Sequence, residues 1–165
     1  MKTSMTIALV AVLSLLAMPA TGHADDKILS FDTMTGVVRP FTGTTNPIRG
    51  VNGGGIPWRV AAAKGELRTD GRIRVRVRGL VLAEGARAGT NPITEFKAIV
   101  SCLTPAVDGT GALVASTVNR STNTFPASPE GDSEIEDVVS LPAPCIAPIV
   151  FVTSPTGSWF AATGF

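Results

Sequence analysis

The chain has 165 residues, 14 lysines and arginines against 13 acids, one histidine and no tyrosine. The formal net charge of +1 and the scarcity of aromatics argue against a nucleic-acid partner, which needs a basic surface with interleaved stacking rings. Nothing beyond the first residues is long and apolar enough to read as a membrane helix.

Those first residues read as a leader. Lys2 gives a basic start, and Ile7 to Met18 form an apolar run too short to span a bilayer. Gly22-His23-Ala24 ends the run as a signal peptidase requires. Residues 1–24 are therefore expected to be a secretory signal peptide cleaved after Ala24, leaving one domain over residues 25–165. No cysteine follows the run closely enough for a lipid anchor. Cleavage removes His23, the only histidine. That excludes Ser-His-Asp and Cys-His catalysis and histidine metal sites from the exported chain.

In the rest of the chain, apolar residues recur at every second place, in short runs broken by Gly, Pro, Asn, Asp and Ser. This is the pattern of strands, and no stretch keeps a helical period between two caps. Strands are expected over Ile28 to Arg39, Trp58 to Arg68, Arg72 to Ala83, Glu95 to Leu103, Leu113 to Val118, Glu134 to Leu141, Ile146 to Thr153 and Ser158 to Thr163. About eight strands in one domain predict an all-β fold, an antiparallel β-sandwich of immunoglobulin-like or jelly-roll-like kind, with a small closed barrel as the alternative. A transmembrane barrel is disfavoured, because two aromatic girdles need more rings than this chain has.

Between the first two expected strands, Pro40 to Pro57 reads as a mobile surface loop. Its run Gly50-Val51-Asn52-Gly53-Gly54-Gly55 lacks the Gly-Lys-Ser/Thr ending and the following helix of a phosphate loop, and reads as a flexible turn. Thr45-Asn46-Pro47-Ile48 recurs as Thr90-Asn91-Pro92-Ile93, two similar turns entering strands.

The sharpest local expectation is a hairpin at Thr69-Asp70-Gly71. A two-residue loop would mix apolar and charged residues on each face. A three-residue loop, with Gly71 left-handed, sorts them. Leu67 then faces Ile73, Gly65 faces Val75 and Ala63 faces Val77; on the other face Glu66 meets Arg74 and Lys64 meets Arg76. Beyond Gly79 the charged face turns apolar, with Leu80, Leu82, Val60 and Trp58.

Arg72, Arg74, Arg76 and Arg78 thus form a row about 20 Å long, joined by Lys64 and Arg68. Two readings are open. The row is a wet strand face, paired with acids elsewhere in the chain. Or it is a candidate ligand-binding strip for an acidic polymer or an acidic protein surface, since guanidinium forks suit sulfate, phosphate and carboxylate. The natural counterpart is Glu130 to Asp137, where Asp132, Glu134 and Glu136 alternate and the spacing is not that of a calcium loop.

Cys102 and Cys145 are the only cysteines, and an even pair in an exported chain predicts a disulfide. A loop of this length is worth about 4 kcal/mol in chain entropy. The usual acid–base residues are missing, so no enzyme, cofactor or metal is expected. The runner-up is a histidine-independent hydrolase using carboxylates near Pro40 to Pro57. Trp58 and Trp159 read as core rather than as sugar platforms.

Taken together, GGGIPW, GRIRVRVRGLVL, GTNPITEFKAIVSC, LPAPCIAPIVFV and SWFAATG resemble a family of small exported bacterial proteins with no assigned activity, over most of the chain from Gly53 onward. The resemblance implies an extracytoplasmic β-rich domain in the cell envelope or extracellular space and supplies no catalytic residues. The stretch from Gly65 to Leu80 also faintly resembles the repeat of chordin-type sandwich domains, without the histidines often seen there.

Overall fold

A computed structural model describes residues 26–163; the expected leader lies outside them. The described residues form twelve strands and no helix. In chain order these are β1 (Lys27–Phe31), β2 (Thr35–Gly36), β3 (Trp58–Arg59), β4 (Ala62–Arg68), β5 (Arg72–Arg78), β6 (Val81–Leu82), β7 (Glu95–Val107), β8 (Leu113–Ser121), β9 (Phe125–Pro126), β10 (Ser133–Val138), β11 (Ile146–Thr153) and β12 (Trp159–Ala162). All the strand pairs are antiparallel.

Two sheets form the sandwich. Sheet A runs β1-β4-β5-β10, and sheet B runs β2-β12-β11-β7-β8, with β9 also on β7. Both paths have free ends, so the sheets do not close into one barrel. Leu67, Ile73, Val75, Val77 and Ile135 point inward from sheet A and are buried to within 1%. Phe96, Val100, Val150 and Val152 of sheet B are fully buried in the same core. Trp58 stacks on Phe160 at 3.9 Å between centroids, and Phe96 sits edge-on to both. Both tryptophans are core, as their context predicts.

The β4–β5 hairpin has the expected register, Leu67 with Ile73 through Ala63 with Val77. Gly71 takes a φ of 84°, a conformation that costs a side chain dearly. A Cβ there would also strike the Val139 carbonyl. Gly79, at φ 62°, explains the change of face. The hairpin bends there, and its far half leaves sheet A as a separate ribbon, β3–β6. The Trp58 amide donates to the Val37 carbonyl, which ties this ribbon to the start of sheet B. That is why the far half is apolar on both faces: Trp58, Leu80 and Leu82 are buried on one and Val81 on the other. Each long strand expected over Trp58 to Arg68 and Arg72 to Ala83 is accordingly two strands.

Sheet B is buried on both faces over β12, the second half of β11 and the first half of β7. Alternation along β11 and its register with β7 put Phe151 and Ile99 on the side away from Val152 and Ala98. Phe151 packs with Trp159 there, at 5.9 Å. In segment 40–57, residues 40–50 lie at the surface as expected, but Val51, Gly53, Gly54 and Pro57 are buried against this sheet, which corrects the reading of the glycine run as a flexible turn. Gly53 bridges Trp159, the Gly54 amide donates to the Trp159 carbonyl, and the Trp159 amide donates to Asn52. Arg49 Nη1 donates to the Ser101 and Ala147 carbonyls at 3.1 and 2.8 Å. A Cβ on Gly53 would lie 2.0 Å from the Phe41 carbonyl oxygen. This glycine serves close approach of two backbones rather than flexibility.

The disulfide Cys102–Cys145 is present, closing 43 residues. It joins β7 to the residue just before β11, where the register between the two strands shifts.

Candidate functional site: the charged face of sheet A

Register places four rows of outward side chains on sheet A. Asp132 adjoins Arg78 at one end. Next come Lys64, Arg76 and Glu134, then Ser30, Glu66, Arg74 and Glu136. The last row, at the turn, is Lys27, Arg68, Arg72 and Val138. All six basic residues predicted from sequence share this face.

The acidic strand does lie beside them, as the edge neighbour β10 in the same sheet. Arg74 grips Glu136 with two bonds, Nη2 to Oε1 at 2.6 Å and Nε to Oε2 at 3.2 Å. Arg76 Nη2 donates to Glu134 Oε1 at 2.5 Å. Arg78 Nη1 donates to Asp132 Oδ2 at 2.6 Å, while the Gly79 amide donates to Oδ1 of the same carboxylate at 2.9 Å. Arg72 turns the other way, to Asp70 in the hairpin turn, at 2.7 Å.

Sequence reading missed Lys27, whose Nζ is 3.2 Å from Glu66 Oε2. Its signal was available in principle, since a strand start opposite Arg68 puts a cation beside Glu66, but pairing of β1 with β4 is not written in either segment. Asp137 leaves the face. Its Oδ2 accepts from the Asn123 backbone amide at 2.8 Å and from Asn123 Nδ2.

Hydrogen bonds hold the charges in place electrostatically. The bonds from Arg74 keep the Glu136 carboxyl below its ordinary value of 4.5, and Glu136 in turn raises Arg74. Asp132 is held below 3.8, first by the Gly79 amide and then by Arg78. Asp137 is lowered chiefly by the amide of Asn123. These carboxyls are ionised and occupied, the opposite of a general acid, whose pKa is raised.

Two predicted residues stand apart. Lys64 and Arg68 have no carboxylate partner among the described residues, and Arg68 Nε is buried without a hydrogen bond. They are two cations on one strand, about 13 Å apart, with Glu66 between them. A shallow groove of about 450 Å³ adjoins Arg68 and Arg72. Beside the segment 40–57, Glu84 is gripped by Arg39 through both of its oxygens. Among the described residues no group of three or more His, Cys, Asp or Glu could hold a metal, and no helix is long and apolar enough to cross a membrane.

Comparison with protein-family models, with curated proteins and with solved structures finds no match.

Proposed function

We propose that this chain is an exported, non-enzymatic module of the cell envelope or extracellular space, whose charged face is a self-neutralised surface rather than an open anion strip. The observation that carries the reading is the pairing of all four arginines of β5 with carboxylates. An acidic polymer would have to displace Asp70, Asp132, Glu134 and Glu136 to use that row. The residual positive charge is that of Lys64 and Arg68, and a weak acidic partner would engage those two.

Export is supported by the leader-like first 24 residues and by the disulfide, a bond typical of oxidising compartments. The non-enzymatic reading is supported by the lowered carboxyls and their engaged oxygens. The hydrolase alternative gains nothing from segment 40–57, which carries no acid, while nearby Glu84 is committed to Arg39.

Retention on immobilised heparin across a salt gradient tests the reading. The expected result is elution at low salt, with the residual retention abolished by Lys64→Gln with Arg68→Gln. Strong retention that persists in that variant, and is lost when Arg72, Arg74, Arg76 and Arg78 become glutamine, would overturn it.

A further inference from the structure

A sheet edge offers unpaired backbone groups to any other strand, and folded proteins normally blunt it. Three edges of this sandwich are blunted. The β1 edge is short, carries Lys27 and has an irregular register. The β2 edge is two residues long. The β10 edge is guarded by Asp137, which turns sideways onto Asn123, and by the bridge from Ser133 to Ala127.

The β8 edge has one such device, at one end only, where Arg120 turns onto the Asn119 and Ser140 carbonyls. It is nine residues long, Leu113–Ser121, and pairs with β7 in unbroken register from Leu113 with Val107 to Ser121 with Ile99. It contains no proline and no lysine. Among the described residues its only strand partner is β7, and one outward carbonyl, that of Asn119, accepts from Arg120 Nη1. The side chains at this end are apolar and open: Leu113 is 75% exposed, Val107 70%, Ile146 47% and Val114 40%.

Charge says what fits there. Between Ala98 and Pro129 the chain has only two charged residues, Asp108 and Arg120. They are opposite in sign and sit at opposite ends of β8. Asp108 uses Oδ1 to cap the β7–β8 turn, accepting from Thr110 and Ala112, which leaves Oδ2 open. Arg120 donates through Nε and Nη1 to the carbonyls of Ser140 and Asn119, which leaves Nη2 open. An antiparallel copy of β8 centred on Ser116 brings Arg120 opposite Ala112 of its mate, beside Asp108. It does so twice, once at each end, and it sets Val114 against Val118.

We propose that β8 is a self-association edge: two copies of this chain pair β8 with β8 about a twofold axis at Ser116, joining their B sheets into one continuous sheet. The arrangement is isologous, as the commonest homodimers are. It gives the outward backbone groups of β8 a partner that the chain itself supplies.

The experiment uses the processed chain with its disulfide intact, in sedimentation equilibrium from micromolar to millimolar concentration. The expected mass at high concentration is twice that of one chain. Thr117→Lys adds an ammonium on an exposed position of β8 and should weaken the dimer at least about tenfold, because the two new charges face each other diagonally across the axis. A thermal melt like that of the wild type shows that this variant is folded. Ser116→Cys should give a covalent dimer under oxidation, since a residue on the axis meets its own copy within disulfide reach. A chain monomeric at every concentration overturns the proposal. So does a dimer that is unmoved by Thr117→Lys and not cross-linked through Ser116→Cys, because it must use another surface.

Discussion

The outer faces of the two sheets solve the same problem in opposite ways. Sheet A leaves its face in water and covers it with paired charges. Sheet B hides the part of its face around Phe151 and Trp159, with the segment 40–57 packed against it. The first solution sets register: arginines on β5 match acids on β10, so a one-residue slip would break every pair. The second supplies stability, because dry aromatic surface is worth far more than an exposed ion pair. A row of four arginines draws the eye in the sequence, yet it contributes less to the fold than a glycine run that looks like a loose loop.

Substitutions should divide along that line. Phe151→Ala opens a cavity under the covered face and should cost about 3–5 kcal/mol in urea denaturation. Replacing Cys102 and Cys145 by serine should cost about 2–4 kcal/mol, by freeing the unfolded chain. Gly53→Ala should cost about 1–3 kcal/mol, because its Cβ has no room beside the Phe41 carbonyl. Gly55→Ala, with nothing within 4 Å of the new methyl, should change stability by less than about 0.5 kcal/mol. Arg76→Gln, on the wet face, should cost at most about 1 kcal/mol, and less at high salt. An arginine substitution that cost as much as Phe151→Ala would break the comparison.

Acid should act first on the hydrogen-bonded carboxylates. Asp132, Glu136 and Asp137 have lowered pKa values in the fold. Their contribution is full above their unfolded values and is lost as pH falls through the folded ones. Stability measured in urea should therefore decline below about pH 4. The decline should be shallower in a variant carrying Asp132→Asn and Glu136→Gln.

The hairpin register was legible because the turn and the two-residue period both constrain it locally: only one loop length keeps Leu67, Ile73 and Val75 off the charged face. The disulfide was legible from cysteine number and the expected compartment. The acidic run at Asp132 to Glu136 was recognisable as a counterpart to the arginines. Its place beside β5 was not, because strand order depends on contacts between segments more than 50 residues apart. The break at Gly79 showed as a change of face but not as a change of sheet. The role of Gly53 was hidden for the same reason: what demands a glycine is the carbonyl of Phe41, and no local pattern shows two backbones meeting.

The claim that the arginine face is self-neutralised is most directly tested by carbon-detected NMR titration of the carboxyl groups. In the wild-type chain Glu136 and Asp132 should titrate below 4.5 and 3.8. The Glu136 midpoint should return toward its ordinary value in Arg74→Gln, while Asp132 stays low because the Gly79 amide still holds it. Ordinary midpoints for both in the wild type, unmoved by Arg74→Gln, would show that the arginines are unpaired and would contradict the account.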